Sequence, residues 1–283
     1  MSIKENMKNN KKVYKILKPM VDRGRMVEHS LLGFLRKSSV FCNQNYKELK
    51  KYRNLHKGQR CFVIANGPSL TMEDLELVIQ TGDISFGCNH IEKIFENTAW
   101  RPDYWCVTDE NIADSVEQGV PKEIPLFTTK SSYEKMTNKR ENICYVKDLY
   151  LPEHCVRTDM MSWWAMSATV SVFMIELAMY MGFSEIVLLG LDCTFRIQNY
   201  EHVATSSKEG YADYSKNLNK DKERLKERNM TADEYNEHIY QMFMTDYRNI
   251  QKVAQVRGIK IVNATRGGRL EVYKRQTMEE ILK

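Results

Sequence analysis

The chain has 283 residues, enough for one large domain with an appendage or for two small domains, and 42% of them are hydrophobic. No apolar run approaches the ~20 residues that span a bilayer, and the charged start has no apolar segment typical of a secretory signal. The net charge of +5 is uneven, since residues 1–60 hold 16 Lys/Arg against 4 Asp/Glu and the remainder is net negative. This distribution argues against a nucleic-acid-binding main domain.

The seven cysteines are scattered and form no C-x-x-C pair. Several stand inside apolar runs, where cysteine behaves as a small buried hydrophobic residue. We therefore expect free thiols in a reducing cytoplasm and no structural zinc site.

Residues 1–57 are predicted to be a basic helical extension. Apolar residues recur at helical spacing among lysines from Val13 to Met20 and again from Leu31 to Leu35. A basic helix with an apolar stripe can lie on an anionic membrane surface. Alternatively, it packs on the main domain or on a second subunit, and both interpretations stay open.

Residues 58–283 alternate between strand and helix patterns, which indicates an α/β fold with a mostly parallel sheet and flanking helices. The predicted strands are Cys61–Ala65, Ile84–Cys88, Tyr104–Val107, Pro125–Thr128, Glu185–Leu189 and Ile259–Val262. The predicted helices are Met72–Gln80, Ile91–Glu96, Ala168–Met181 and Glu237–Val256. The polar stretch 198–236 is predicted to be an inserted helical lid.

The first predicted strand runs into the turn Asn66-Gly67-Pro68-Ser69, with a helix directly behind it. Such turns often bind phosphates, because their N–H groups and the helix dipole attract anions. The turn is neither G-x-G-x-x-G nor a P-loop. Gly67 would let the backbone approach a ligand, and Asn66 and Ser69 would supply polar groups. A turn without a ligand is the alternative interpretation.

Polar or glycine-rich signatures follow four further predicted strands: Asn89-His90, Thr108-Asp109-Glu110, Gly190-Leu191-Asp192 and Asn263-Ala264-Thr265-Arg266-Gly267-Gly268. Ligands of parallel sheets bind outside the carboxyl ends of the strands, so these residues are expected to share one site. A carboxylate there can bind a ribose or a metal or act as a base, which makes Asp109 and Glu110 candidates. Asp192 follows a strand that is predicted to be central and buried, and it either faces the site or caps the next turn. No D-x-D motif is present, and no metal ligand is predicted.

Five stretches, VIANGPSL, GCNH, RPDYW, GFSEIVLLGLD and NATRGGRLEVYKR, resemble a known family of bacterial and archaeal proteins. That family joins the motility accessory factors, which are linked to nonulosonic acid transfer, and the archaeal hydroxymethylpterin pyrophosphokinase-like proteins. The chain is more distantly similar to the bacterial sialyltransferases that decorate lipooligosaccharide. The resemblance covers roughly residues 60–275.

The sialyltransferase resemblance implies a Rossmann-like, GT-A-type fold that uses a CMP-activated sugar without a metal. It implies that Asn66 and Gly67 contact the nucleotide phosphate or ribose, and that Asn89 holds the nucleotide in the same pocket. The donor would then be a substrate, and no separate cofactor is expected.

Three further positions match a Thr-Ser-Gly turn that contacts the cytidine nucleotide in that family: Ser167, Ala168 and Thr169. Ala168 replaces the family's Ser, and Thr169 replaces its Gly. The family also places two tyrosines after the Gly-x-Asp to stabilise the leaving phosphate. Thr194 stands at the first of these positions, and Tyr200 lies near the second.

The resemblance implies a histidine base at the start of the penultimate helix, and that position falls near Gln241. His238, one turn earlier, and His202, on the predicted lid, are the candidates. General-base chemistry needs a group with a pKa near neutrality within reach of the acceptor hydroxyl. Both histidines meet the chemical requirement.

Basic residues cluster after the last predicted strand. Arg266, beside two glycines, is predicted to contact the ligand and neutralise a phosphate leaving group. Lys274 and Arg275 are expected to form a solvated basic turn and edge strand. Trp163 and Trp164 precede the Ser167 turn, and core packing is their expected role.

These patterns and the resemblance favour a cytoplasmic glycosyltransferase, and peripheral contact with the inner membrane face through residues 1–57 stays open as one of the two interpretations of that segment. It would transfer a nonulosonic acid from a CMP-type donor to a glycan, glycolipid or protein acceptor. One alternative is an ATP- and Mg²⁺-dependent pyrophosphokinase, with Asp109 and Asp192 as its carboxylate pair. Another is a non-catalytic nucleotide-binding glycosylation factor. Homo-oligomerisation stays open, and nucleic acid is not an expected partner.

Overall fold

A computed structural model describes residues 11–38, 42–151, 155–167, 169–194 and 222–283. Three predicted site residues, Ala168, Tyr200 and His202, lie outside these ranges. Residues 198–221 of the predicted lid lie outside them as well. None of the helices in the described ranges is long and apolar enough to cross a bilayer.

The strands, in chain order, are β1 (Arg60–Ile64), β2 (Ile84–Cys88), β3 (Tyr104–Val107), β4 (Leu126–Thr129), β5 (Ile143–Val146), β6 (Asp148–Leu149), β7 (Trp164–Ala165), β8 (Glu185–Leu189), β9 (Lys260–Asn263) and β10 (Lys274–Arg275). The helices are α1 (Lys11–Lys37), α2 (Gln44–Lys51), α3 (Met72–Thr81), α4 (Ala113–Gly119), α5 (Lys130–Lys135), α6 (Val170–Met181), α7 (222–228), α8 (Ala232–Arg257) and α9 (Met278–Ile281). A 3₁₀ turn spans Ile91–Ile94.

Eight strands form one parallel sheet in the order β10-β9-β8-β1-β2-β3-β4-β5, and β6 and β7 form a separate parallel pair. This confirms the predicted α/β, Rossmann-like architecture. The chain runs outward from β1 to β5 and then returns to place β8 on the other side of β1. The direction of strand addition therefore reverses between β1 and β8, and ligand crevices open at such switch points.

The sheet is buried on both faces. In β1, Cys61 and Val63 pack into one apolar cluster with α2, α6 and α8, whereas Phe62 and Ile64 pack into the other with α3, α4 and α9. Strands buried on both sides are continuous apolar runs rather than alternating patterns. For this reason the central strands were predictable from the sequence.

The N-terminal helices pack directly on the sheet domain. Tyr46 and Leu49 of α2 are part of the apolar cluster that contains α6. In α1, Gly33 lies so close to Ser162 that a Cβ added at the glycine would stand 2.4 Å from the Ser162 Cβ. The division of the chain at residue 57 stays a prediction.

The two adjacent tryptophans are buried, in agreement with their expected role in packing. The Trp163 indole Nε1 donates a hydrogen bond to Ser30 Oγ of α1 at 3.1 Å. The Trp164 ring packs edge-on against Phe173 of α6, with 5.1 Å between centroids. Both rings therefore join elements of the scaffold.

Several boundaries differ from the sequence prediction for local reasons. Helix α8 begins at Ala232 rather than Glu237, because Thr231 and Glu234 form a capping box. The predicted lid therefore includes the first turn of this helix. Strand β5 and helices α4 and α5 were not predicted, since each has seven residues or fewer and little periodicity.

Candidate functional site

The switch point is built by the turn after β1 and the turn after β8. The Gly67 N–H donates to the Gly190 carbonyl at 2.8 Å, and Ser69 Oγ donates to Asp192 Oδ2 at 2.8 Å. A Cβ on Gly67 would lie 1.8 Å from Asp192 Oδ2 and 2.3 Å from Gly190 O. The close contact that requires glycine at position 67 is therefore a contact with the turn after β8 of the same chain.

The segment after β9 closes the same edge. The Arg269 N–H donates to the Asp192 carbonyl at 2.7 Å, and the Leu191 N–H donates to Thr265 Oγ1 at 3.1 Å. Gly268 adopts φ +73°, and a Cβ there would lie 2.7 Å from Asp192 O. The ends of β1, β8 and β9 thus form one hydrogen-bonded wall around Asp192.

Asp192 is a buried carboxyl group, 7% exposed, at the centre of this wall. Burial raises its pKa, and the hydrogen bonds from Ser69 oppose that rise. The carboxylate is therefore both costly to ionise and held in one orientation. The turn after β8 therefore places a carboxyl group directly at the switch point.

Two asparagines at neighbouring strand ends carry buried amide oxygens without a hydrogen-bond partner among the described residues. Asn66 is 6% exposed and donates through Nδ2 to the Cys88 carbonyl at 3.1 Å, which leaves Oδ1 unpaired. Asn89 adopts φ +48°, and its Oδ1 is likewise buried and unpaired. Buried polar atoms are normally hydrogen-bonded. These two oxygens therefore have the capacity to accept hydrogen bonds from a ligand.

His90, which the sequence analysis named only as part of a strand-end motif, lies directly after Asn89. It is 3% exposed. Its Nδ1 lies 2.8 Å from Glu92 Oε1, and its Nε2 lies 3.3 Å from Ser115 Oγ on α4. The available signal was its place directly after Asn89 at a strand end. These contacts fix the His90 side chain in the turn that follows Asn89.

The N-terminus of α6 lies at the same edge, because this helix runs antiparallel to β8 and ends just before it. Thr169 is the N-cap and accepts a hydrogen bond from the Ser171 N–H. Ser167 Oγ donates to Asp246 Oδ2 of α8 at 2.6 Å, and the Ser171 and Tyr247 hydroxyls are 2.6 Å apart. The structure thus places Ser167 and Thr169 at the predicted edge, with their hydroxyls bonded within the protein.

His238 lies on the part of α8 that extends past α6. It is nine residues before Tyr247, which is roughly 13 Å along a helix axis. Its Nε2 lies 3.0 Å from Arg228 Nη1. Its role as a base stays a prediction.

Asp109 stands apart from Asp192. Its Oδ1 accepts hydrogen bonds from the Asn111 N–H at 2.9 Å and from Asn111 Nδ2 at 2.8 Å, in the turn that leads to α4. The strands β3 and β8 are separated by β1 and β2. This spacing is about 14 Å, more than two aspartate side chains and one shared ion can span. The described residues contain no group of three or more potential metal ligands.

Two arginines of the basic cluster after β9 form hydrogen bonds within the protein. Arg266 donates to both carboxylate oxygens of Asp74, at 2.7 to 3.2 Å, and the buried Asp74 carboxylate also closes the capping box of α3. The bidentate pair raises the pKa of Arg266. Arg275 donates to the Thr265 carbonyl at 2.9 Å. Lys274 and Arg275 form the edge strand β10, as predicted.

Comparison with known proteins gives a family and similar solved structures. Residues 35–198, more than half of the chain, match the family described as MptE-like, 6-hydroxymethylpterin diphosphokinase MptE-like. This match confirms the family resemblance predicted from the sequence motifs. The MAf glycosyltransferase from Magnetospirillum magneticum AMB-1 is similar with a TM-score of 0.48 and 12% identity, over 82% of this chain and 38% of that chain. No curated protein matches the sequence.

Proposed function

Since the chain belongs to the MptE-like family, we propose that it is a nucleotide-dependent transferase whose nucleotide binds at the carboxyl edge of the sheet, between β8, β1 and β2. The observation that carries the proposal is the pair of buried, unpaired amide oxygens of Asn66 and Asn89 beside the switch point. Ribose hydroxyls and base amino groups are donors of the kind these oxygens accept. The N-terminus of α6 at the same edge, which has no acidic residue in its first turn, favours the phosphate.

We further propose that the transferred group is a sugar, with a CMP-linked nonulosonic acid as donor. The acceptor hydroxyl oxygen would attack the anomeric carbon while the bond from that carbon to the phosphate oxygen breaks, and CMP would leave with the bonding electrons. The proton of the acceptor would pass to a base, for which His238 is the described candidate. This proposal is supported by the NGPS and GLD motifs at the switch point.

The family description favours a second candidate, a diphosphokinase that transfers a diphosphate from ATP. Its Mg²⁺ would take Asp192 as a protein ligand, with substrate phosphates and water completing the octahedron, as is usual for this ion. The residues at the switch point fit that arrangement with one carboxylate. Asp109 is too distant to ligate the same ion.

A thermal-shift screen with CMP, CDP, UDP, GDP and ATP, each with and without Mg²⁺, tests the proposal. Binding to the native state raises the melting temperature. A melting-temperature shift with CMP that is the same with and without Mg²⁺ supports the glycosyltransferase. Release of CMP from a CMP-sugar would then be measured. A shift with ATP only in the presence of Mg²⁺ supports the diphosphokinase. A chain that binds none of the five contradicts both.

The site is tested separately with Asn89→Gly, which removes the amide and tolerates the positive φ. We expect the nucleotide Kd to rise about tenfold or more, since a buried hydrogen bond is lost. The matched control is Asn54→Gly, which also replaces an asparagine at positive φ (+57°), but at the opposite edge of the sheet, where Asn54 adjoins Gly182. Equal nucleotide affinity in the two variants would contradict this site.

A further inference from the structure

Helix α1 has an apolar face that nothing in the described chain covers. Met20, Val27, Leu31 and Phe34 are 68%, 69%, 59% and 64% exposed. Gly24 lies between them with open space around it. Four large apolar side chains exposed on one helix exceed the scattered exposure of a monomeric surface and indicate an interaction site.

The opposite face of α1 packs against the rest of the same chain, which is called the body of the protein below. Gly33 abuts Ser162, and Arg36 Nη1 donates to the carbonyls of Met161 and Ser162 at 2.9 and 3.2 Å. Ser30 accepts the hydrogen bond from Trp163. The apolar face therefore points away from the body that carries it. A second helix can reach this face without a clash between the two bodies.

The spacing of the exposed residues is that of a two-stranded coiled coil. From Met20 through Gly24, Val27 and Leu31 to Phe34, the steps alternate between four and three residues. At 100° per residue these positions fall within an arc of about 80°, the narrow stripe of a and d heptad positions. The sequence continues this spacing upstream, to Leu17 and Val13.

The charges beside the stripe favour a second copy in parallel orientation over a membrane surface. With Met20, Val27 and Phe34 at d positions, the exposed Arg23 is a g position and the exposed Glu28 is the following e position. A parallel pair places g of one helix beside this e of the other, so Arg23 meets Glu28 twice across the interface. An anionic bilayer would instead repel Glu28 at the border of the stripe.

We propose that the exposed face of α1 pairs with the same face of α1 from a second copy, in parallel and in register, and that the protein is a dimer through this seam. The proposal is independent of the reaction proposed above. Sedimentation of the full chain should give about 67 kDa, twice the 33.3 kDa of one chain. Leu31→Glu should give the monomer mass, because it places two charges inside the seam.

Matched variants separate the seam from a general effect of surface charge. Val256→Glu on α8, where the side chain is 90% exposed, is the control for Leu31→Glu and should leave the dimer mass unchanged. Arg23→Glu and Glu28→Arg should each raise the dimer Kd about tenfold, and the double variant should restore it. Val27→Cys should form a disulfide cross-link between the two copies under mild oxidation. Arg25→Cys, on another side of the helix, should cross-link no more than the wild type does.

Three results would overturn the proposal. These are a monomer at all concentrations, a dimer that survives Leu31→Glu, and charge reversals that fail to compensate each other. A monomer that binds vesicles of mixed zwitterionic and anionic lipid through Leu31 would assign the face to a membrane and equally refute pairing. Nucleotide binding measured on Leu31→Glu keeps this outcome distinct from that of the proposed function.

Discussion

At the scale of single residues, Gly67 and Asp192 depend on each other. The NGPS turn can lie against the end of β8 only because residue 67 has no Cβ, and Ser69 donates to the Asp192 carboxylate and helps to orient it. The sequence analysis linked Gly67 to ligand binding, but its packing against the end of β8 is sufficient to explain why glycine is needed at this position. The groups at this edge that we propose contact the nucleotide are instead the buried amide oxygens of Asn66 and Asn89, which have no hydrogen-bond partner among the described residues.

Gly67→Ala should destabilise the fold strongly. The new Cβ would clash with Asp192 Oδ2 and with the Gly190 carbonyl. This carbonyl is backbone at the end of β8, so its displacement would disturb the strand. We expect a loss of about 3 kcal/mol or more in the free energy of unfolding, measured by chemical denaturation. Gly258→Ala is the control, because its positive φ costs about 1 kcal/mol but the space around it is open. A smaller loss at Gly67 than at Gly258 would contradict the packing described here.

Asp192 should make stability depend on pH. Burial raises its pKa above the ordinary 3.8, so the native state keeps this proton where the unfolded chain loses it. The resulting stabilisation is complete below pH 3.8 and is lost as the pH rises through the raised pKa. Asp192→Asn removes this dependence, so the variant should gain stability relative to the wild type from about pH 4 to pH 7.

Denaturation midpoints of both proteins across this pH range measure the effect. Ser69→Ala provides a second arm, since the hydrogen bond from Ser69 Oγ lowers the pKa of Asp192 and, of the two Ser69 hydrogen bonds, only the one from the backbone N–H would remain in the variant. Loss of the Oγ hydrogen bond should move the pH dependence to higher pH. A difference between Asp192→Asn and the wild type that does not change with pH would contradict the burial of a titrating carboxyl group.

At the scale of elements, Arg266 joins the turn after β9 to the first turn of α3. Its partner Asp74 is 1% exposed, whereas the arginine side chain is half exposed. Arg266→Ala should therefore cost only about 1 kcal/mol of stability, because water replaces part of the guanidinium. If the role is structural alone, the nucleotide Kd stays within about twofold of the wild type. A rise of about tenfold or more would show that Arg266 also contacts the ligand.

Arg275→Ala is the comparison variant, since Arg275 donates to the Thr265 carbonyl of the same turn without touching Asp74. Calorimetric titration with the nucleotide identified in the screen gives both affinities. Equal effects of the two substitutions would mean that only the conformation of the turn matters.

At the scale of the whole molecule, the closest packing between α1 and the rest of the chain is at Gly33, beside the hydrogen bonds of Ser30 and Arg36. A Cβ at Gly33 would stand 2.7 Å from the Ser162 Cα as well as 2.4 Å from its Cβ. Gly33→Ala should push the helix outward and break the hydrogen bond from Trp163 to Ser30. Hydrogen exchange of residues 159–165 should become faster, while exchange in β1 and β8 stays as in the wild type. Unchanged exchange at 159–165 would contradict this attachment.

Much of the element order could be predicted because parallel strands buried on both faces are continuous apolar runs. Ile84–Cys88, Tyr104–Val107 and Glu185–Leu189 were predicted with the bounds the structure shows. The start of α8 was missed because the capping box Thr231–Glu234 lies in a polar stretch without apolar periodicity. Short elements such as β5 carry too few residues for a pattern to emerge.

The sequence by itself determined the fold class, the family and the polar character of the strand ends, because these depend on local apolar runs and short motifs. Only the tertiary structure decided which strand ends meet. It placed Asp192 beside Gly67 and Ser69 and left Asp109 three strands away, and it bound Arg266 to Asp74. The physical reason is that strand order is set by long-range packing of helices on both faces of the sheet, which no local pattern along the chain records.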